Sequence, residues 1–325
     1  MRTPTIVLTV LLLLSIVAGC GDDAAESDET TLRVVATTGM IADAGVNLFP
    51  ASVEVVGLMG PGVDPHLYKA SRGDLALLQD ADIVLYNGLH LEGKMGEVLE
   101  KLARKKPVIA VGELIATDRL LQPAAFEGAY DPHIWFDVAL WSDAVEALAD
   151  TLELLPVLSD LGIDTTIGKR AAAYLDSLRV LHADVASQVG ALPENRRTLI
   201  TAHDAFGYFG RAYDIEVAGL QGISTVREFG LAERNAIVAR IVEQKIPAIF
   251  LESSVPKRTI EAIVEGVAAE GGEVTIGGEL FSDAMGDAGT AEGTYIGMVR
   301  HNARAIVEAL EGPDESANMD GVSDE

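Results

Sequence analysis

Residues 166–192 read TIGKRAAAYLDSLRVLHADVASQVGAL, and the architecture follows from their hydrophobic spacing. Ile167, Ala171, Tyr174, Leu178, Leu181, Val185 and Val189 recur at steps of three and four, which marks one apolar stripe on an uninterrupted helix. Pro193 stops it. At about 1.5 Å per residue, ~25 residues reach about 37 Å, enough to run the length of two lobes as a single rigid connection. Such a spine allows less bending than a pair of loose crossover strands.

Outward from this helix, short β-rich runs recur on both sides, each followed by turn residues and then a helix-period segment. LRVVATT, VEVVGLM, ADIVLYNG and PVIAVGE precede it; RTLITAH, IEVAGLQ, PAIFLESS and GEVTIGGELF follow it. Strands alternating with helices predict parallel sheets flanked by helices. The expected fold is therefore α/β, with two similar lobes at residues 32–165 and 193–311 joined by a long rigid linking helix at 166–192. A body of about 280 residues is a natural size for two such units.

The two ends read differently. Arg2 precedes an apolar run, Ile6 to Leu14, too short to span a bilayer comfortably, and then Val17-Ala18-Gly19-Cys20. Residues 1–19 are expected to be a lipoprotein signal peptide, with Cys20 lipidated as the mature N-terminus. Cys20 is the only cysteine, which excludes a disulfide framework and a thiolate metal site. Residues 20–31 are polar and acidic, as is the stretch 312–325; neither can bury enough surface to order itself, so the first should be a tether and the second a disordered tail. The formal charge is -26, and losing Arg2 with the signal makes it about -27. Such a surface repels nucleic acid and anionic headgroups, so the only expected membrane contact is the lipid anchor.

The chemistry lies where strands end. Residues 61–69, PGVDPHLYK, and 130–137, YDPHIWFD, repeat an Asp-Pro-His triplet. Proline fixes its own φ and biases the preceding aspartate to extended geometry, so each imidazole is held. His66 follows VEVVGLM through a glycine-rich turn, His203 ends RTLITAH, and Asp283 closes GEVTIGGELFSD. His133 is reached through a longer loop. Ligands of open α/β sheets bind at this carboxyl edge. The four positions are 67, 70 and 80 residues apart, so no local zinc-finger or His-Glu-x-x-His signature is present. A site made from all four requires the lobes to face each other. Asp64 and Asp131 are candidates to orient the histidine rings, since a ligating histidine commonly donates its second ring N–H to a carboxylate.

Residues 57–96, GLMGPGVDPHLYKASRGDLALLQDADIVLYNGLHLEGKMG, together with DPHIWFD, TAHDAFGYFGRAYDIEV, AIFLESSVPKR and LFSDAMGDAGTAEGTYIGMVRHNARAIVEAL, resemble the substrate-binding lipoproteins of bacterial ABC importers for zinc and manganese. The resemblance runs from Leu32 to Leu310. It implies two α/β lobes joined by one long helix, with a metal ion held between them by His66, His133, His203 and Asp283. It also implies a monomer that takes one zinc or manganese ion per chain outside the cytoplasmic membrane, working with an ABC permease and its cytoplasmic ATPase. Some relatives carry glutamate at the third position, and histidine at 203 argues against strict manganese selectivity. Zinc-specific relatives often carry a histidine-rich insertion after NGLHLE; here the chain passes directly from His90 to Lys94.

Donor chemistry agrees, since three neutral imidazoles and a carboxylate suit tetrahedral zinc, or manganese if the carboxylate is bidentate or water completes the shell. Two other readings use the same residues: a metal-dependent enzyme whose site is three histidines and an aspartate, and a surface adhesin lipoprotein. Against the first, no general base has a motif of its own, so the chain is read as not an enzyme. His90 is expected to be a structural hydrogen-bonding residue, His182 a partly exposed helix residue and His301 a packing or surface residue. Glu252 is expected to orient a ligand, and Asp204 either to support the ligands from outside or to cap the helix that follows it.

Overall fold

The computed structural model describes residues 32–126, 128–226 and 230–312. The signal segment, Cys20, the tether and the tail beyond Gly312 lie outside them. The first lobe is built from β1 (Arg33–Ala36), α1 (Gly39–Leu48), β2 (Glu54–Gly57), α2 (Arg72–Asp80), β3 (Ile83–Tyr86), α3 (Gly96–Ala103) and β4 (Val108–Ala110). All four strands are parallel, in the order β2-β1-β3-β4, with Val34 opposite both Val55 and Ile83. Local signals set the helix starts. Ser71 and Asp74 cap α2 reciprocally, each side chain bonding the other's backbone N–H.

From β4 the chain makes a long excursion of short 3-10 turns, residues 111–137, before α4 (Val138–Glu153). Asp137 caps α4 by accepting from the N–H groups of Ala139 and Leu140. A short α5 (Pro156–Asp160) leads into α6 (Asp164–Gly190), the expected spine. All seven residues of its stripe are buried. They enter one continuous core that takes in β1, β3 and α1 on one side and β7, α7 and α10 on the other.

The second lobe comprises β5 (Thr198–His203), α7 (Gly207–Tyr213), β6 (Glu216–Gln221), α8 (Leu231–Gln244), β7 (Ala248–Glu252), α9 (Arg258–Ala269), β8 (Thr275–Leu280) and α10 (Tyr295–Glu311). Its four strands fall where expected, but they pair as two parallel two-stranded sheets, β5-β6 and β7-β8, with β5 running beside β7. The β7-β8 ladder is itself irregular. Ile249 faces Ile276 and Leu251 faces Glu279, so two glycines, Gly277 and Gly278, oppose Phe250 alone. A Cβ on Gly277 would lie 2.7 Å from the Phe250 ring, and Gly278 sits at φ 127°, so both positions require glycine. Outside the shared core each lobe has its own apolar layer: Val35, Leu78, Val84 and Leu99 in the first, Ile200, Ile241, Ile249 and Ile263 in the second. Among the described residues no helix is long and apolar enough to cross a membrane.

Candidate metal centre

The two Asp-Pro-His triplets form the same turn twice. Asp64 Oδ1 accepts the His66 N–H at 2.8 Å, and Asp131 Oδ1 accepts the His133 N–H at 2.9 Å. The proline between them makes each turn stiff. Beyond that the triplets differ. Asp131 also accepts from the His133 ring Nδ1 at 2.8 Å, whereas Asp64 turns its second oxygen to Thr225 Oγ1, 2.6 Å away in the other lobe. Among the described residues no carboxylate is hydrogen-bonded to the His66 ring, so Asp64 orders the loop rather than the imidazole.

His133 belongs to the first half of the chain but is anchored by the second. Tyr208 donates to the Asp131 carbonyl at 2.9 Å, Trp135 Nε1 to the Ser282 carbonyl at 3.1 Å, and Tyr295 to the Trp135 carbonyl at 2.7 Å. His203 ends β5 beside Glu252, which ends β7. Its backbone N–H donates to Glu252 Oε1 at 2.8 Å and its ring Nδ1 to Oε2 at 2.5 Å. Asp283 follows β8 directly.

These placements bring His66, His133, His203 and Asp283 together, with one donor atom from each lying within 4.8 Å of all the others. None of the four is more than 4% exposed. His66 Nε2 is 3.3 Å from His133 Nε2, His133 Nε2 is 3.4 Å from Asp283 Oδ1, and His203 Nε2 is 3.3 Å from Asp283 Oδ2. Donors around a tetrahedral ion with ligand bonds of ~2.0–2.1 Å are separated by about 3.4 Å. With Nδ1–H of His133 and His203 given to carboxylates, the Nε2 lone pairs point inward. His203 Nε2 and both Asp283 oxygens are buried without a hydrogen-bond partner, which a converging cation would satisfy.

The electrostatics follow from these contacts. Burial pushes His66 down to about 3, only partly opposed by Asp283, so this ring is neutral. Burial also opposes charge on His133, but the hydrogen bond and charge of Asp131, with Asp283 behind, raise it to about 9. His203 is likewise raised well above the ordinary histidine value, Glu252 and Asp283 outweighing burial. Burial opposes the Asp283 charge, and the two histidines overcome it and hold the carboxyl well below the usual range. Without metal the centre is thus a carboxylate flanked by two imidazolium rings.

Other candidates stand outside the cluster. His90 is exposed, with its backbone left-handed at φ 67°. His182 is half-buried on α6 beside the Tyr213 hydroxyl, and His301 packs on Phe281 and reaches the Glu279 carbonyl. Asp204 does not cap α7, whose N-cap is Phe206; the next helix starts later than expected. Instead Asp204 lies close to Asp131, His133 and His203, and burial raises its carboxyl. Thr225 was missed, since nothing local marks a threonine that bonds across 161 residues.

Residues 34–309 match the family described as zinc-uptake complex component A, periplasmic. The chain belongs to this family. It is 50% identical over 305 residues to the zinc-binding protein TroA of Treponema pallidum, covering 94% of this chain and 96% of that protein. It is 46% identical over 303 residues to the manganese-binding lipoprotein MntA of Bacillus subtilis, covering 93% and 97%. The structure of the periplasmic zinc-binding protein TroA superposes with a TM-score of 0.82 at 52% identity, covering 86% of this chain and 99% of that one. Relatives at lower identity are named substrate-binding lipoproteins of metal ABC transporters.

Proposed function

We propose that this protein is the extracytoplasmic metal-binding component of an ABC importer, capturing one zinc or manganese ion per chain and handing it to a permease driven by a cytoplasmic ATPase. His66, His133, His203 and Asp283 are the ligands. The observation that carries this reading is the convergence of three histidine nitrogens and an unpartnered carboxylate, one donor atom from each within 4.8 Å of all the others. The ion is cargo rather than a catalyst. This reading is supported by the family match and by relatives named for the metal they bind. The lobes, residues 32–165 and 193–311, hold the ion between them, and the helix at 166–192 keeps their separation fixed. Signal 1–19 directs export and Cys20 carries the lipid, leaving a monomer tethered outside the membrane.

The test is elemental analysis of protein purified without added metal, followed by competition titrations with zinc and manganese. One ion per chain, lost in His133→Ala, is expected. Two ions per chain, or uptake unaffected by His133→Ala, overturns the reading.

A further inference from the structure

The NGLHLE segment, residues 87–92, contributes no ligand, yet its glutamate is 3% exposed. The Glu92 carboxylate accepts three hydrogen bonds: from Thr37 Oγ1 at 2.7 Å, the Asn87 N–H at 2.8 Å and the Gly88 N–H at 3.1 Å. All three partners are uncharged. A buried carboxylate without a cation is costly, and an apolar residue in its place would leave these three donors without an acceptor. The three donors converge on it from just beyond the ends of two strands, β1 and β3, so what the position demands is an acceptor with two free oxygens. Glutamine would offer one oxygen and turn an amide N–H toward a donor.

The carboxylate holds a strained loop. Gly88, Leu89 and His90 have φ of 77°, 53° and 67°, and two of these are not glycine. By closing on Asn87 and Gly88, Glu92 fixes that conformation and with it the direction of the Asn87 side chain. Asn87 Nδ2 donates to the Pro132 carbonyl at 3.0 Å, the carbonyl of the peptide unit that contains the His133 nitrogen. Thr37, the residue after β1, uses its hydroxyl on Glu92 and its carbonyl on the Met59 N–H, where the chain starts toward His66. One side chain therefore fastens the carboxyl ends of β1 and β3, and both routes out of it lead to ligand loops.

We propose that Glu92 is a positioning residue of the metal centre, acting on His133 through Asn87 and the Pro132 carbonyl. This rests on the metal-site reading above. The route is Glu92 to Asn87, Asn87 to Pro132, Pro132 to His133, and it touches no metal ligand directly. Outer partners of this kind commonly change metal affinity by about ten- to a hundredfold when removed.

The test uses cobalt(II), whose visible absorption reports coordination geometry, on the full chain and on Glu92→Gln, Asn87→Ala and the double variant, with His133→Ala as the lost-ligand reference. Glu92→Gln and Asn87→Ala should each lower cobalt affinity about tenfold and shift the visible bands away from those of the parent, whereas His133→Ala should show no bound-cobalt bands. The double variant should bind no more weakly than Glu92→Gln alone, because the two act through one contact. If Glu92→Gln does not fold, Asn87→Ala carries the test. Variants that melt earlier but keep the parent affinity and spectrum reduce Glu92 to a structural residue and overturn the proposal. A parent that takes up no cobalt overturns the metal-site reading itself, which separates the two failures.

Discussion

His203 gives both its backbone N–H and its ring Nδ1 to Glu252, so the glutamate fills the side of the imidazole opposite the Nε2 that faces Asp283. That contact limits what can replace the ring. Judged from the strand end alone, His203→Glu should simply exchange a nitrogen donor for a hard oxygen donor and shift preference toward manganese. With Glu252 in place the new carboxylate would face a second one in a fully buried setting, and like charges there are costly. The expected outcome is that His203→Glu weakens zinc and manganese alike, while His203→Glu with Glu252→Gln recovers manganese and lowers the zinc-to-manganese affinity ratio. Paired competition titrations decide it, and recovery in the single variant would show that Glu252 imposes no limit. Proton traffic follows from the same contacts. His133, raised to about 9, and His203, raised well above its ordinary value, both carry protons at neutral pH in the metal-free centre, while His66, near 3, carries none. Metal uptake at pH 7 should therefore release close to two protons, and affinity should climb as pH rises toward 9. Calorimetry in buffers of different ionisation enthalpy counts those protons, and a count near zero would contradict the charged centre. How far these residues were legible follows from where their signals lie. Both Asp-Pro-His turns, and the Asp131 carboxylate on the His133 ring, could be read because their causes are local, whereas Asp64 gives its second oxygen to a threonine 161 residues away and that could not.

The spine helix α6 makes the lobes one body. Its seven-residue stripe is buried between them, and Arg170 and Tyr174 tie it to α1 through the Val46 and Asn47 carbonyls and the Asp43 carboxylate. Leu181 is fully buried in that stripe and its neighbour Val180 is 62% exposed. Leu181→Ala should cost about 2–5 kcal/mol of unfolding free energy, while Val180→Ala should stay within about 0.5 kcal/mol. Urea denaturation of the two variants measures the difference, and equal small effects would mean that the stripe is not shared core. The helix was legible because periodicity over so many turns has no other solution. The eight strands were legible for a similar reason, as short apolar runs bounded by turns. How β5 to β8 pair was not, since the ladder is broken by the glycines opposite Phe250 and only the packed ring explains why they are there. The 3-10 excursion at 111–137 has no period at all, and its course is set by hydrogen bonds from Tyr208, Trp135 and Tyr295.

At the scale of the whole molecule, metal binding and folding are one equilibrium. An ion held by ligands from both halves of the chain stabilises the folded state by RT ln(1 + [L]/Kd), about 4 kcal/mol at a thousandfold excess over Kd. His133→Ala should abolish the gain. The size of the gain must also depend on pH, because the metal-free protein has its own titration. His133 is raised to about 9 against an unfolded value near ~6.5. The imidazolium-carboxylate contact therefore contributes stability that is fully present below the unfolded value and is lost as pH rises through about 9. Asp283, held well below the usual range, contributes in the opposite sense, its share being lost only as the solution becomes acidic enough to protonate it in the fold. In the metal-bound protein the rings are neutral and the ion takes over the role of the protons. From pH 7 to 9.5 the metal-free melting temperature should fall while the metal-saturated one changes less, so the interval between them widens. Melting curves with a chelator and with excess metal across that range measure the interval. A constant interval would mean that His133 and His203 carry no protons for the ion to displace, and the centre would then have to be a set of neutral rings awaiting metal.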